Sequence, residues 1–173
     1  MKFPVLLSYY IISLILVLIP FPWWYYSVGG IFQVYDSPFQ LSLIFFGENL
    51  ILGQILNILL NAFRIYVIIN LIYGIILVAR NTKYKYSTMF WLPILYFIDP
   101  IIIYFVINYI LGIELHIAIS YPILIIGKEN LLITYQNTSI QMLIISKPTI
   151  LFWASLLPTI LYVISLIIER KKY

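Results

Sequence analysis

Four apolar stretches separate the charged residues of this sequence into short segments, and they limit its fold more than any other feature. The stretches cover residues 3–22, 57–79, 88–112 and 149–168. A helix of about 20 apolar residues crosses the ~30 Å hydrocarbon core of a bilayer, so each stretch predicts a membrane-spanning helix. Only 9% of the residues are charged, against about 25% in a soluble domain. The pattern predicts a mainly α membrane protein, a four-transmembrane-helix bundle that forms one domain.

The first stretch also fits a cleaved signal peptide, because it lies near the amino terminus. It is longer than the apolar part of a typical signal peptide, and the IPFPWWYY segment that follows offers no small-residue cleavage site. We therefore expect residues 3–22 to be retained as the first spanning helix.

The two longest segments between the apolar stretches, 23–56 and 113–148, have β-prone sequences. In the first, IFQVY and FQLSLIFF flank the turn signal Asp36-Ser37-Pro38 and predict a hairpin, with an irregular interfacial loop as the alternative. In the second, LHIAIS, ILII, LLITYQ and IQMLII predict a meander with turns at 127–130 and 137–139. A shallow re-entrant segment is the alternative there. Together the two outer loops predict a small extracytoplasmic β-rich cap.

The distribution of basic residues predicts the orientation of the chain. They concentrate at Lys2, in the loop 80–87 and in the tail 169–173, which share one side of a four-span protein. The positive-inside rule places this side in the cytoplasm. We expect a multi-pass protein of the cell membrane with cytoplasmic N- and C-termini. The sequon at Asn137 then lies in the second outer loop and predicts a glycosylation site there.

Two charges lie inside the predicted spans, Arg64 in the second and Asp99 in the third. Counted from the cytoplasmic ends, both lie about 20 Å deep, and a charge at such depth needs a partner. The first interpretation is a structural ion pair that holds helices two and three together. The second is that Arg64 extends to the outer interface. The third is a proton or ion relay through Asp99, assisted by Asn57, Asn61 and Asn70.

A polar stripe marks the start of the second span. Gln54, Asn57, Asn61 and Arg64 are spaced by 3, 4 and 3 residues, so they share one face of a helix. The stripe faces either the protein's own interior beneath the cap or another subunit. The sequence leaves open whether residues 47–56 protrude, lie at the interface or enter the bilayer.

The sequence contains no motif of a cofactor site, a metal site or an enzyme. It has no Cys and only one His, and His116 shares a predicted strand face with Glu114 alone. Neither a phosphate-binding glycine motif nor an activated serine motif occurs. We therefore expect no cofactor, no metal and no enzymatic activity. The net charge of +4 is spread over span ends rather than one patch, which favours a membrane over nucleic acid as the partner.

The predicted function is a non-enzymatic structural or accessory subunit that lies in the lipid bilayer and packs with another membrane protein or with itself. The alternative is a small transporter or channel component that uses Asp99 with Arg64. The layout resembles claudin-type and tetraspanin-type proteins in outline. Those families need outer-loop Cys pairs, which this chain lacks, so the sequence assigns no family.

Overall fold

Four helices and one antiparallel sheet make up the part of the chain that the computed structural model describes, residues 3–80, 89, 91–109, 126–135 and 138–170. In chain order the elements are α1 (Pro4–Leu18), β1 (Trp24–Val28), β2 (Phe32–Ser37), β3 (Gln40–Phe45), β4 (Glu48–Asn49), α2 (Ile51–Ala79), α3 (Trp91–Tyr109), β5 (Gly127–Tyr135), β6 (Thr138–Pro148) and α4 (Ile150–Arg170).

The sheet has six strands in the order β4-β3-β2-β1-β6-β5, and every neighbouring pair is antiparallel. Strands β1 to β4 follow α1 as a meander, while β5 and β6 form a hairpin that leads into α4. Strands β1 and β6 lie side by side, with Tyr26 opposite Ser146. The two segments predicted to be outer loops therefore build one continuous sheet.

The predicted four-transmembrane-helix bundle with a small cap is wrong. The sheet is large, because six strands lie in the described residues. Of the four helices in the described residues, two, α2 and α4, are long and apolar enough to cross a membrane. Helix α1 has 15 residues, about 22 Å at 1.5 Å per residue. It ends before Pro20 and Pro22, because proline lacks the backbone N–H that a helix interior needs.

The predicted hairpin around Asp36-Ser37-Pro38 is confirmed. Strands β2 and β3 pair from Phe32 opposite Phe45 to Ser37 opposite Gln40. The predicted turn at 127–130 is wrong, because β5 runs through it and pairs residue for residue with β6. Polar side chains suit β5 because it is an edge strand. The predicted strand LHIAIS, the predicted strand ILII apart from Ile126, and the loop residues 81–87 lie outside the described residues.

Helix α1 lies at the centre of the helical layer and packs against both α2 and α4, while α3 packs against α4. Its buried tyrosines make the contacts: the ring of Tyr9 lies 5.1 Å from that of Tyr162 on α4, and Tyr10 packs against Gly74 of α2. Backbone hydrogen bonds fasten the sheet to this layer. Trp23 N–H donates to Asp36 O and Thr149 N–H donates to Trp23 O, each at 2.8 Å.

Candidate functional site

Two carboxyl groups meet where the sheet lies against α3. Asp36 is in β2, opposite Trp24 of β1 and Leu41 of β3. Only 3% of the surface of Asp36 is exposed. Asp99 lies partly buried in α3, and its carboxyl group interacts with that of Asp36. Strand β2 and helix α3 are in direct contact. The structure therefore brings together two acidic residues that are 63 positions apart in the sequence.

Burial and the neighbouring carboxyl group determine the protonation of Asp36. Its pKa is raised well above the ordinary range, first because burial disfavours the charged form and then because Asp99 lies beside it. The backbone N–H of Ser37 offsets part of this increase. Asp36 Oδ2 is buried and has no hydrogen-bond partner among the described residues. Two carboxyl groups in this position can share one proton, so the pair can hold and release a proton or attract a cation.

Aromatic rings cluster around Trp23 and Tyr96, on the side of α3 that carries Asp99. Trp23 packs edge-on against Tyr96, with ring centres 5.0 Å apart, and lies 6.2 Å from Phe39. Tyr96 precedes Asp99 by three residues and so lies on the same side of α3.

The described residues contain no group of three or more His, Asp or Glu side chains that could hold a metal ion. Two carboxyl groups alone supply too few ligands for the closed metal sites of proteins. The chemistry that the arrangement supports is proton sharing or weak attraction of a monovalent cation.

Arg64 has a different partner from the one that the sequence predicts. Its Nε and Nη2 donate to the carbonyl oxygens of Val17 and Leu18, both at 2.7 Å. These carbonyls belong to the last turn of α1, where helix carbonyls lack intrahelical partners and a positive charge is favourable. The structure does not bring Arg64 and Asp99 together. Arg64 instead fastens α2 to the end of α1.

The polar stripe of α2 divides between two faces. Asn57 turns inward and pairs with the backbone of Leu41 on β3: Leu41 N–H donates to Asn57 Oδ1 at 2.8 Å, and Asn57 Nδ2 donates to Leu41 O. Gln54 and Asn61 are exposed on the outer face. Asn137, the predicted glycosylation site, lies outside the described residues.

Sequence reasoning identifies Asp99 as a candidate residue but does not predict that Asp36 is its partner. A signal was present, because Phe32, Val34 and Asp36 alternate along β2 and must share a face of the sheet. Val34 is buried, so Asp36 two residues later had to face the interior as well. The alternation identifies the face, but only the fold shows that α3 lies there.

No family model, curated protein or solved structure matches this chain. The proposals below therefore depend on the physical properties of the described residues alone.

Proposed function

We propose that this chain is a multi-pass protein of the cell membrane that acts as a non-enzymatic accessory subunit. Helices α2 and α4 have the length and apolar composition to cross a bilayer. Both helices start at the sheet, so their carboxyl ends lie on the opposite side of the bilayer. Arg80 follows α2 there, and the basic residues 170–172 lie at the end of α4 and after it in the sequence. The positive-inside rule supports a cytoplasmic position for these ends. Helix α1 runs towards the sheet, which supports a cytoplasmic N-terminus in this proposal.

The length of α2 supports a contact outside the hydrocarbon core. Its 29 residues measure about 43 Å, which exceeds a ~30 Å core by about 13 Å, or roughly nine residues. Placing the whole helix within the core would need a tilt of about 46°, beyond the usual range of up to ~40°. The first turns also pack on the sheet, where Gly53 contacts Leu43. We assign these turns to the extracytoplasmic side.

An exposed face that begins on these turns and continues below them carries what we call the α2 seam: Ile51, Gln54, Ile58, Asn61 and Ile65. Their spacing of 3, 4, 3 and 4 residues follows one side of a helix, as in the contact line of two packed helices. All five are exposed, Ile51 by 73% and Ile58 by 70%. Ile51, Gln54 and Ile58 lie within the roughly nine residues that extend beyond the hydrocarbon core, where exposed isoleucines favour a protein partner. The two amides of the seam can bond across helices, at about 0.6 kcal/mol each.

The observation that carries the proposal is this seam of isoleucine and amide side chains, which begins on the part of α2 that extends beyond the hydrocarbon core. We expect its occupant to be a helix of another membrane protein. An isolated apolar helix face in lipid needs no amide groups, whereas a helix–helix contact uses them to fix its register.

Site-specific photo-crosslinking in native membranes tests this proposal. A photoreactive residue at Ile58 should give a discrete protein adduct, while one at Tyr73, which is exposed lower on α2, should react with lipid. Gln54→Leu combined with Asn61→Leu should weaken the Ile58 adduct. An adduct at twice the 20.3 kDa chain mass would identify a second copy as the partner instead. Absence of any protein adduct at Ile58 would refute the accessory role.

A second function, proton or ion translocation, is favoured by the Asp36–Asp99 pair. The sequence hypothesis combined Asp99 with Arg64, but Asp36 is the side chain that lies beside Asp99. Reconstituted vesicles would then show a proton or monovalent cation flux that Asp36→Asn and Asp99→Asn each abolish. Wild-type vesicles that conduct no faster than protein-free vesicles would exclude this function.

A further inference from the structure

A groove of about 500 Å³ opens at the surface where α1 and α4 reach the sheet. Phe21 and Pro22, which follow α1, line it together with Ile150 and Leu151 from the first turn of α4. Phe21 is 64% exposed and Ile150 is 85% exposed. Large apolar side chains are thus presented at the opening rather than packed into the core.

Lys147 lines the same groove from the end of β6. Its Nζ lies 5.5 Å from the ring centre of Tyr25, which is opposite it in the sheet. The ring of Tyr25 in turn lies 5.0 Å from that of Tyr35 on the next strand. In the described part of the chain, Lys147 makes no ion pair with a carboxylate. Its positive charge is therefore available to an anion that enters the groove.

We propose that this groove binds a membrane lipid with an anionic phosphate headgroup. The phosphate lies against Lys147, and the hydrocarbon chain follows Phe21, Ile150 and Leu151 towards the bilayer. The inference rests on the proposed membrane position of α4, because a helix that enters the bilayer just after Ile150 puts the groove at headgroup depth. It does not depend on the α2 seam, which lies on a different helix.

Charge complementarity and the apolar lining together favour a lipid over other anions. A free phosphate would use Lys147 and leave the apolar side chains in water, which is unfavourable for exposed groups of this size. A nucleic acid would need several basic residues along one surface, and this groove has one. Trp153 supports the depth assignment, since it is 56% exposed, one turn below Ile150, and tryptophan favours the interface.

Native mass spectrometry of the full chain in detergent tests the proposal by titration with two lipids that share acyl chains. Phosphatidylglycerol should bind about fivefold more tightly than phosphatidylcholine, as expected for one basic residue near an anionic group. Lys147→Gln should remove this preference. The matched control Lys128→Gln, an exposed lysine on β5 of the same sheet, should keep it. Ile150→Asn should weaken the binding of both lipids.

Soluble sn-glycerol 3-phosphate serves as the competing probe. At the concentration that saturates phosphatidylglycerol binding it should displace none of the lipid, because it has no hydrocarbon chain. Competition at equal concentration would show a phosphate site and overturn the lipid proposal. A phosphatidylglycerol preference that persists in Lys147→Gln would overturn it as well.

The membrane position is checked separately by alkaline carbonate washing of native membranes. Release of the wild-type chain into the wash would refute the membrane position and the lipid site with it. Retention in the membrane without any preference for phosphatidylglycerol would refute the lipid site alone. The partner proposal is judged independently, by the Ile58 adduct.

Discussion

Replacing Asn57 by Leu removes the side chain that hydrogen-bonds the free backbone edge of β3 at Leu41. On this edge the short β4 pairs only with Ile44 and Phe45, so Asn57 supplies both partners of the Leu41 backbone. Each unpaired group costs about 1–3 kcal/mol, and partial access of water favours the lower half of that range. After the gain from a larger apolar side chain, we expect a net loss of about 2 kcal/mol in the free energy of unfolding.

Gln54→Leu is the matched control, because it makes the same chemical change one turn earlier at an exposed position. Thermal unfolding in detergent micelles, followed by tryptophan fluorescence, should show a melting temperature about 4–8 °C lower for Asn57→Leu. Gln54→Leu should stay within about 1–2 °C of wild type. Equal melting temperatures for the two variants would refute the edge role of Asn57.

Substitutions at three further residues test other contacts by the same unfolding assay. Arg64→Met leaves the Val17 and Leu18 carbonyls without their donor and should lower the free energy of unfolding by about 2–4 kcal/mol, with Arg64→Lys intermediate. An unchanged stability would contradict the role of Arg64 in holding α2 to the end of α1. Gly74→Ala places a Cβ 2.7 Å from Tyr10 Cε1, so it should cost about 1–3 kcal/mol, and a neutral result would show that the ring can move. The raised pKa of Asp36 means that the folded state holds the proton more tightly, so wild-type stability should fall as pH rises above ~4, by up to about 1.4 kcal/mol per pH unit. Asp36→Asn should flatten the dependence of stability on pH above ~4. If the variant shows the same pH dependence as wild type, the carboxyl pair is contradicted.

The helices in the second and fourth apolar stretches were predicted well, because composition alone indicates that these segments are helical. The prediction of a helix over 149–168 matches α4 within two residues at each end, since an uninterrupted apolar run has few alternatives. Helix α2 starts at Ile51, six residues before the predicted span, and the sequence left open only where residues 47–56 lie relative to the bilayer. Neither the packing of Gly53 on β3 nor the bonds of Asn57 to β3 can be read from the local sequence, because both depend on the folded sheet.

The WWYY segment shows why the sheet was underestimated. Adjacent aromatic residues after an apolar run are typical of an anchor at a membrane interface. In the structure Trp23 and Trp24 are 2% and 3% exposed, and Trp24 Nε1 donates to Ser146 Oγ on β6. That partner is 122 residues away, so no local pattern could indicate that β1 pairs with β6. The carboxyl pair was missed for the same reason, because Asp36 and Asp99 meet only through the contact of β2 with α3.

Cysteine accessibility along α2 tests most directly whether this helix crosses a bilayer and emerges beside the sheet. The chain has no native Cys, so single substitutions at Leu52, Ile55, Ile69 and Ile72 give labelling without background. These four side chains are exposed on the isolated chain, and they differ mainly in predicted depth. A membrane-impermeant maleimide applied to intact cells should label positions 52 and 55, and should label 69 and 72 only after detergent dissolves the bilayer. Labelling of 69 and 72 in intact cells, or protection of 52 and 55 by lipid, would contradict the proposed placement.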